Sequence, residues 1–229
     1  MLTKRHLNPY FMRLFYYMKN IGGAFFVSFF VFMGLIPILN YLEYTITGVS
    51  LALYFNISQH AQQLMPFFSV WHVLFVLRES VEAEGYEWFY MKQQGIKLSD
   101  VLGILSINFM LITGLFIFYN HLFDSAVFYT SSGSIHINMW WEYVRILSIC
   151  FLFLGITYGV TNLFKSITPT ILLLLIYTVA SMVFYADFPL FFFKYEVISW
   201  ELLLDHYLVL VLAGGAFFFV GWRASKKYY

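Results

Sequence analysis

The stretch RESVEAEGYEWFYMKQQG, Arg78 to Gly95, holds four of the chain's twelve acidic residues and sits between two long apolar runs. Its contrast with those flanks decides the fold. Of the 229 residues, 61% are hydrophobic, 23% aromatic and only 11% charged. A soluble domain has too little polar surface to cover that much apolar side chain. The runs on either side are about the length that a ~30 Å hydrocarbon core demands, roughly 20 residues each. Six are legible, at about 21–42, 59–77, 101–122, 143–163, 168–187 and 203–222. The second is the weakest, because Gln59, His60, Gln62 and Gln63 load its start; it begins later and tilts, or that end faces protein.

The reading is therefore all-α: a single polytopic membrane domain over residues 1–229 with six transmembrane helices. No Pro-, Gly- or Ser-rich linker divides it, and no repeat of fixed period stands out. Orientation follows from the cations. With six spans both tails share a side, and the tails with the loops on that side carry eleven of the thirteen lysines and arginines. Arg145 and Lys194 are the exceptions. By the positive-inside rule both termini are cytoplasmic.

Before the first span, Asn8 is a good N-cap with Pro9 at the first helical position. Leu7, Tyr10, Phe11, Leu14 and Met18 recur at helical spacing, which predicts an interfacial helix over residues 1–20. The alternative is that this helix merely extends the first span. The N-terminus does not read as a cleaved signal, since Gly22-Gly23 opens the apolar run instead of a cleavage site closing it. A net charge of +1 without a basic run beyond Lys226-Lys227 leaves no footprint for nucleic acid.

The opening stretch reads as a helix, or two, within a cytoplasmic connection of residues 78–100. Acids crowd its front and Lys92 comes near its end, which complements the helix dipole. Gly95 is a natural C-cap, and Gly85 marks a bend because glycine costs about 1 kcal/mol against alanine in a helix interior. Tyr86, Trp88, Phe89, Tyr90 and Met91 follow the bend. Aromatics so dense on a short segment lie against headgroups or fill a partner's groove.

This pattern resembles the coupling region of ABC-2 type permeases, the six-span membrane subunits of bacterial ABC exporters. The correspondence runs through Arg78-Glu79, then Gly85-Tyr86-Glu87, then the hydrophobic run Trp88-Phe89-Tyr90-Met91. Tyr86 stands where a threonine is usual, and the proline that normally follows the run is missing. The resemblance implies a coupling helix between spans two and three, pressed into a groove on a separate ATPase subunit. It also implies a second permease subunit, as a homo- or heterodimer, and residence in the bacterial cytoplasmic membrane. Arg78, Glu79, Glu84, Gly85, Glu87, Trp88 and Phe89 are the residues it assigns to coupling. ATP and Mg would be held by the partner, since no G-x-x-x-x-G-K-[ST] loop occurs here. A solvated acidic loop with aromatic anchors is the alternative. The cargo expected is an amphipathic substrate such as a peptide or bacteriocin, with Phe25, Phe29 and Phe32 as an aromatic lining or as lipid-facing residues.

Four polar residues inside the spans are candidates for a lumen or gate. Glu142 and Arg145, three apart, can pair on one face of span four, as an orienting anchor or as a gate. His72 in span two and Asn108 in span three should face other helices or a cavity rather than lipid. Gly155 and Gly159 allow close helix approach and suit packing within the subunit. Ala186 to Leu202 is too apolar for an ordinary loop and too short for a span, which predicts a re-entrant outer hairpin before span six. The spacing of His121, Asp124 and His136 matches no compact zinc pattern. The chain has no H-E-x-x-H or G-x-S-x-G, so enzyme readings fare poorly and no cofactor is expected in it. A membrane scaffold or immunity protein, or an intramembrane enzyme dependent on His72, are the competing functions.

Overall fold

The computed structural model describes residues 23–24, 26–48, 50–81, 98–123, 127–130, 133–136, 139–184 and 199–226. The expected interfacial helix, most of the coupling segment and most of the outer hairpin lie outside the described residues. So do the side chains of Glu79 and Asn108.

Six long helices form the described structure: α1 Phe26–Thr47, α2 Leu51–Val81, α3 Leu98–Phe123, α4 Met139–Phe164, α5 Thr168–Phe184 and α6 over 200–226. The spans Phe26–Thr47, Trp140–Phe164 and Trp200–Ser225 are long and apolar enough to cross a membrane. This is a membrane protein's signature. The described residues also contain a short antiparallel hairpin between α3 and α4, β1 Val127–Thr130 and β2 Gly133–His136, paired Val127 to His136. The expected all-helical architecture holds, with this hairpin as a small addition to it: the β-branched and aromatic residues of Val127-Phe128-Tyr129-Thr130 favour a strand.

Local chemistry sets the helix ends. Ser50 caps α2 by accepting the Leu53 amide at 3.1 Å. Gly48, at φ +64°, closes α1. Ser199 caps α6 through the Leu202 amide at 3.2 Å. Within α1 the stretch Val31–Leu35 is a π turn. Pro37, just beyond it, offers no amide and crowds the carbonyl four residues back, which loosens the α register there. A second π turn, Leu203–Tyr207, opens α6 without any proline.

The helices run alternately up and down. Ser28 of α1 donates to the Phe68 carbonyl of α2 at 2.8 Å, while Glu43 near the end of α1 meets Asn56 near the start of α2. Likewise Thr113, late in α3, bonds Tyr143, early in α4, at 2.9 Å, and Thr161 bonds Thr170 at 2.9 Å across the tight α4–α5 turn. α4 and α6 are parallel neighbours, joined by the edge-to-face rings of Trp141 and Trp200 at one end and by the approach of Gly159 to Phe217 further along. Helix α4 is the centre of the bundle, with 72% of its span buried against 28% for α1 and 17% for α6.

Two clusters of side chains form the core. One joins the second half of α2 to α4, α5 and α6, around Leu74, Phe153, Leu174 and Tyr207. The other joins α1, the first half of α2, α3 and the start of α4, around Phe32, Tyr54 and Ile112. Alternation gathers Arg78, the Lys165 turn and Arg223 at one end of the bundle. Arg223 lies over the Phe219 ring, 5.3 Å from its centroid. Burial lowers the Lys165 ammonium's pKa below its ordinary value.

Candidate functional site

At the opposite end of the bundle, α4 buries an ion pair. Glu142 and Arg145 are only 4% and 1% exposed and bond each other across one helical turn. Tyr54 of α2 donates its phenol hydrogen to Glu142 Oε1. Tyr207 of α6, wholly buried, stands beside the Arg145 guanidinium. Three helices that are distant in sequence thus share one neutral polar knot. The π turn Leu203–Tyr207 places that phenol: its wider turn rotates the last residue toward α4.

An unpaired charge this deeply buried among apolar side chains is costly even toward one end of the bundle, so the pair persists because each charge has a partner. Both partners are committed, which leaves the knot poorly suited to proton transfer. Splaying α2 or α6 from α4 at this end would strip charge-assisted hydrogen bonds in apolar surroundings. Mechanically it is a clasp.

No protein family, characterised protein or solved structure matches this chain. The site therefore stands on its own geometry.

The predicted gate residues divide. Glu142 and Arg145 come together, more deeply buried than an interfacial anchor would be. His72 lies elsewhere, its Nδ1 3.3 Å from Ser28 Oγ, and ties α2 to α1. That is interhelical packing. Of the coupling residues, Arg78 lies in the last turn of α2 as an exposed side chain, and Glu79 follows it in the same helix, so the helical part of span two reaches further than the apolar run suggested. Glu84, Gly85, Glu87, Trp88 and Phe89 lie outside the described residues. The aromatic lining is not assembled, since Phe32 is buried in the core and Phe29 is exposed; Phe25 lies outside the described residues.

Gly155 and Gly159 do pack within the subunit. A Cβ on Gly155 would meet the Gly214 carbonyl oxygen at 2.3 Å, and one on Gly159 the Phe217 carbonyl oxygen at 2.8 Å. Small residues let the backbones of α4 and α6 touch.

A cleft of about 470 Å³ opens on another face of α4, between α3 and α6, with Phe109, Leu147, Phe151 and Val211 among its walls. Its serines already donate to their own helices, Ser106 to the Gly103 carbonyl at 2.6 Å and Ser148 to the Val144 carbonyl at 2.8 Å. The lining is in effect apolar. Glu142 and Arg145 do not reach it.

Sequence reasoning missed Tyr54 and Tyr207, two of eighteen tyrosines with no distinguishing spacing. It also missed a polar cluster of Asn40, Glu43, Asn56 and His60 between α1 and α2. The polar loading of span two at Gln59 and His60 was its one visible trace.

Proposed function

We propose that this chain is the membrane-spanning permease subunit of an ATP-driven exporter of ABC-2 type, paired with a second permease subunit in a bacterial cytoplasmic membrane. The reading rests on one observation. The connection between α2 and α3 leaves the bundle at the end that gathers Arg78, Lys165 and Arg223, which the positive-inside rule makes cytosolic. A soluble ATPase docking at that end would meet the segment between α2 and α3, whose sequence carries the acids and rings. That subunit binds ATP and Mg; this chain carries out no chemistry and transmits movement. Its cargo is an amphipathic molecule such as a peptide or bacteriocin.

In a bundle so arranged, force applied at the cytosolic end of α2 travels along one helix to Tyr54, which holds the clasp on α4. Glu87 and Trp88 are the residues to change. The test is co-expression with the ABC ATPase encoded nearest the gene, followed by ATPase and transport assays in proteoliposomes. The doubly substituted chain, Glu87→Ala with Trp88→Ala, should assemble yet hydrolyse ATP without moving cargo. A wild-type chain that purifies alone, with no ATPase retained, speaks instead for a membrane scaffold or immunity protein.

A further inference from the structure

Two neighbouring helices are weakened at the same depth. Pro66 stands in the middle of α2 and has no amide hydrogen, so the Gln62 carbonyl loses its donor in the helical ladder. The π turn Val31–Leu35 interrupts the α register of α1. The two helices run antiparallel, and Ser28 of α1 meets the Phe68 carbonyl of α2 at 2.8 Å. Counted from that contact, the π turn begins three residues along α1, and Pro66 stands two residues back along α2 with Gln62 six back. The two irregular stretches therefore lie side by side. Breaks of this kind are where helices bend.

Packing changes partners at that level too. Toward the clasp, Tyr54, Ile57 and Met65 of α2 share one core cluster with Phe32 and Ile36 of α1. Toward the other end, Val70, Leu74 and Leu77 of α2 belong to the other cluster, and Ala24 of α1 packs against it. On the clasp side the two helices are tied together, since Asn56 Nδ2 donates to Glu43 Oε1 at 2.6 Å, so their halves there form one unit. That unit is held to α4 by apolar packing and by the Tyr54 bond to Glu142. In a bilayer, apolar contacts between helices exchange for lipid contacts at little cost. A hydrogen bond to a carboxylate has no such substitute.

We propose that Ile36–Thr47 of α1 and residues 51–65 of α2 form a flap, hinged at the level of Pro66 and the π turn and latched to α4 by Tyr54 on Glu142. Swinging the flap away from α4 parts Tyr54 from Glu142 but leaves Glu142 paired with Arg145, and Arg145 beside Tyr207. The ion pair thus stays neutral while the flap moves. The outer face of the flap presents Ile38, Tyr41, Leu42 and Ile46, all exposed and apolar or aromatic, so its movement is against lipid. On the far side of the hinge, Ser28 keeps α1 on α2 through the Phe68 carbonyl, with His72 Nδ1 3.3 Å from the same hydroxyl. The inference stands on backbone and packing alone and is independent of the export reading.

The experiment is double electron–electron resonance on the full chain in lipid nanodiscs, with Cys150→Ser as the background. One spin-label pair, Thr47→Cys with Glu201→Cys, spans the flap and the start of α6 at the clasp end. A second pair, Arg78→Cys with Thr168→Cys, spans α2 and α5 at the other end, and all four positions are exposed. With the latch intact, each pair should give a single dominant distance. Tyr54→Phe deletes a hydrogen bond to a charged group, so the ratio of open to closed flap should rise about tenfold or more. A second, longer distance should then appear at the clasp end alone. Adding Pro66→Ala to Tyr54→Phe restores the missing amide at the hinge and should shrink that second population. Should that double variant not fold, Pro37→Ala takes the same role on α1. A single unchanged distance in Tyr54→Phe, a second population indifferent to the proline substitutions, or a shift of equal size at the other end overturns the proposal.

Discussion

Glu142 and Arg145 show how a residue's worth depends on its partner. Removing one member of a buried pair leaves the other charge without compensation, which typically destabilises by about 3–5 kcal/mol. Replacing both with apolar residues of similar size removes the problem with the pair, and is often near neutral. Glu142→Ala should therefore lower stability by about 3–5 kcal/mol, while Glu142→Leu with Arg145→Met should cost clearly less than Glu142→Ala alone. Denaturant unfolding in micelles measures both. Equal losses would mean that the pair contributes through shape rather than charge. Tyr54→Phe keeps the ring and deletes a hydrogen bond to a charged group, so a loss of about 1.5–3 kcal/mol is expected in the same assay. Only part of this partnership could be read in advance. The i, i+3 spacing made the ion pair legible, but the phenols arrive from α2 and α6, whose approach is a tertiary fact.

The helices themselves were largely legible because a bilayer demands long apolar runs and their ends carry recognisable caps. Span two was the hardest for a physical reason: Asn56, Gln59 and His60 break its apolar run, yet backbone satisfaction inside the helix and a polar partner on α1 keep it continuous from Leu51. The π turn in α6 left no mark in the sequence, since no proline accompanies it. Glycine spacing on α4 was visible; its partner helix was not. The seam it makes with α6 carries a sharp contrast. A methyl on Gly155 runs into the Gly214 backbone, whereas one on Gly215 has nothing within 4 Å. Backbone cannot swing aside as a side chain can, so Gly155→Ala should cost about 1–3 kcal/mol by forcing α4 and α6 apart. Gly215→Ala should be neutral or stabilising by up to about 1 kcal/mol, because its methyl meets nothing and alanine is the better helix former. Thermal unfolding of the two variants side by side decides it, and a neutral Gly155→Ala would mean that the helices separate freely at this point.

At the scale of the whole molecule, the alternation of helices and the distribution of cations have to agree. Thr47 ends α1 and Thr168 begins α5, and both are exposed, at opposite ends of the bundle. Lys165 is near Thr168, and Arg78 and Arg223 share that end, so the positive-inside rule predicts Thr168 in the cytosol and Thr47 outside. Cys150 is the sole cysteine and is buried, so replacing it with serine leaves a background in which a new cysteine reports alone. In that background Thr47→Cys should react with a membrane-impermeant maleimide added to intact cells, and Thr168→Cys only after the membrane is opened. The opposite pattern would put residues 82–97 outside the cell, where no ATPase could engage them. Labelling of both sites in intact cells would instead break the alternation itself, because α2, α3 and α4 between them must carry the chain across an odd number of times. The cation distribution thus predicts one orientation, and the coupling role proposed for the segment that begins at Arg78 depends on it.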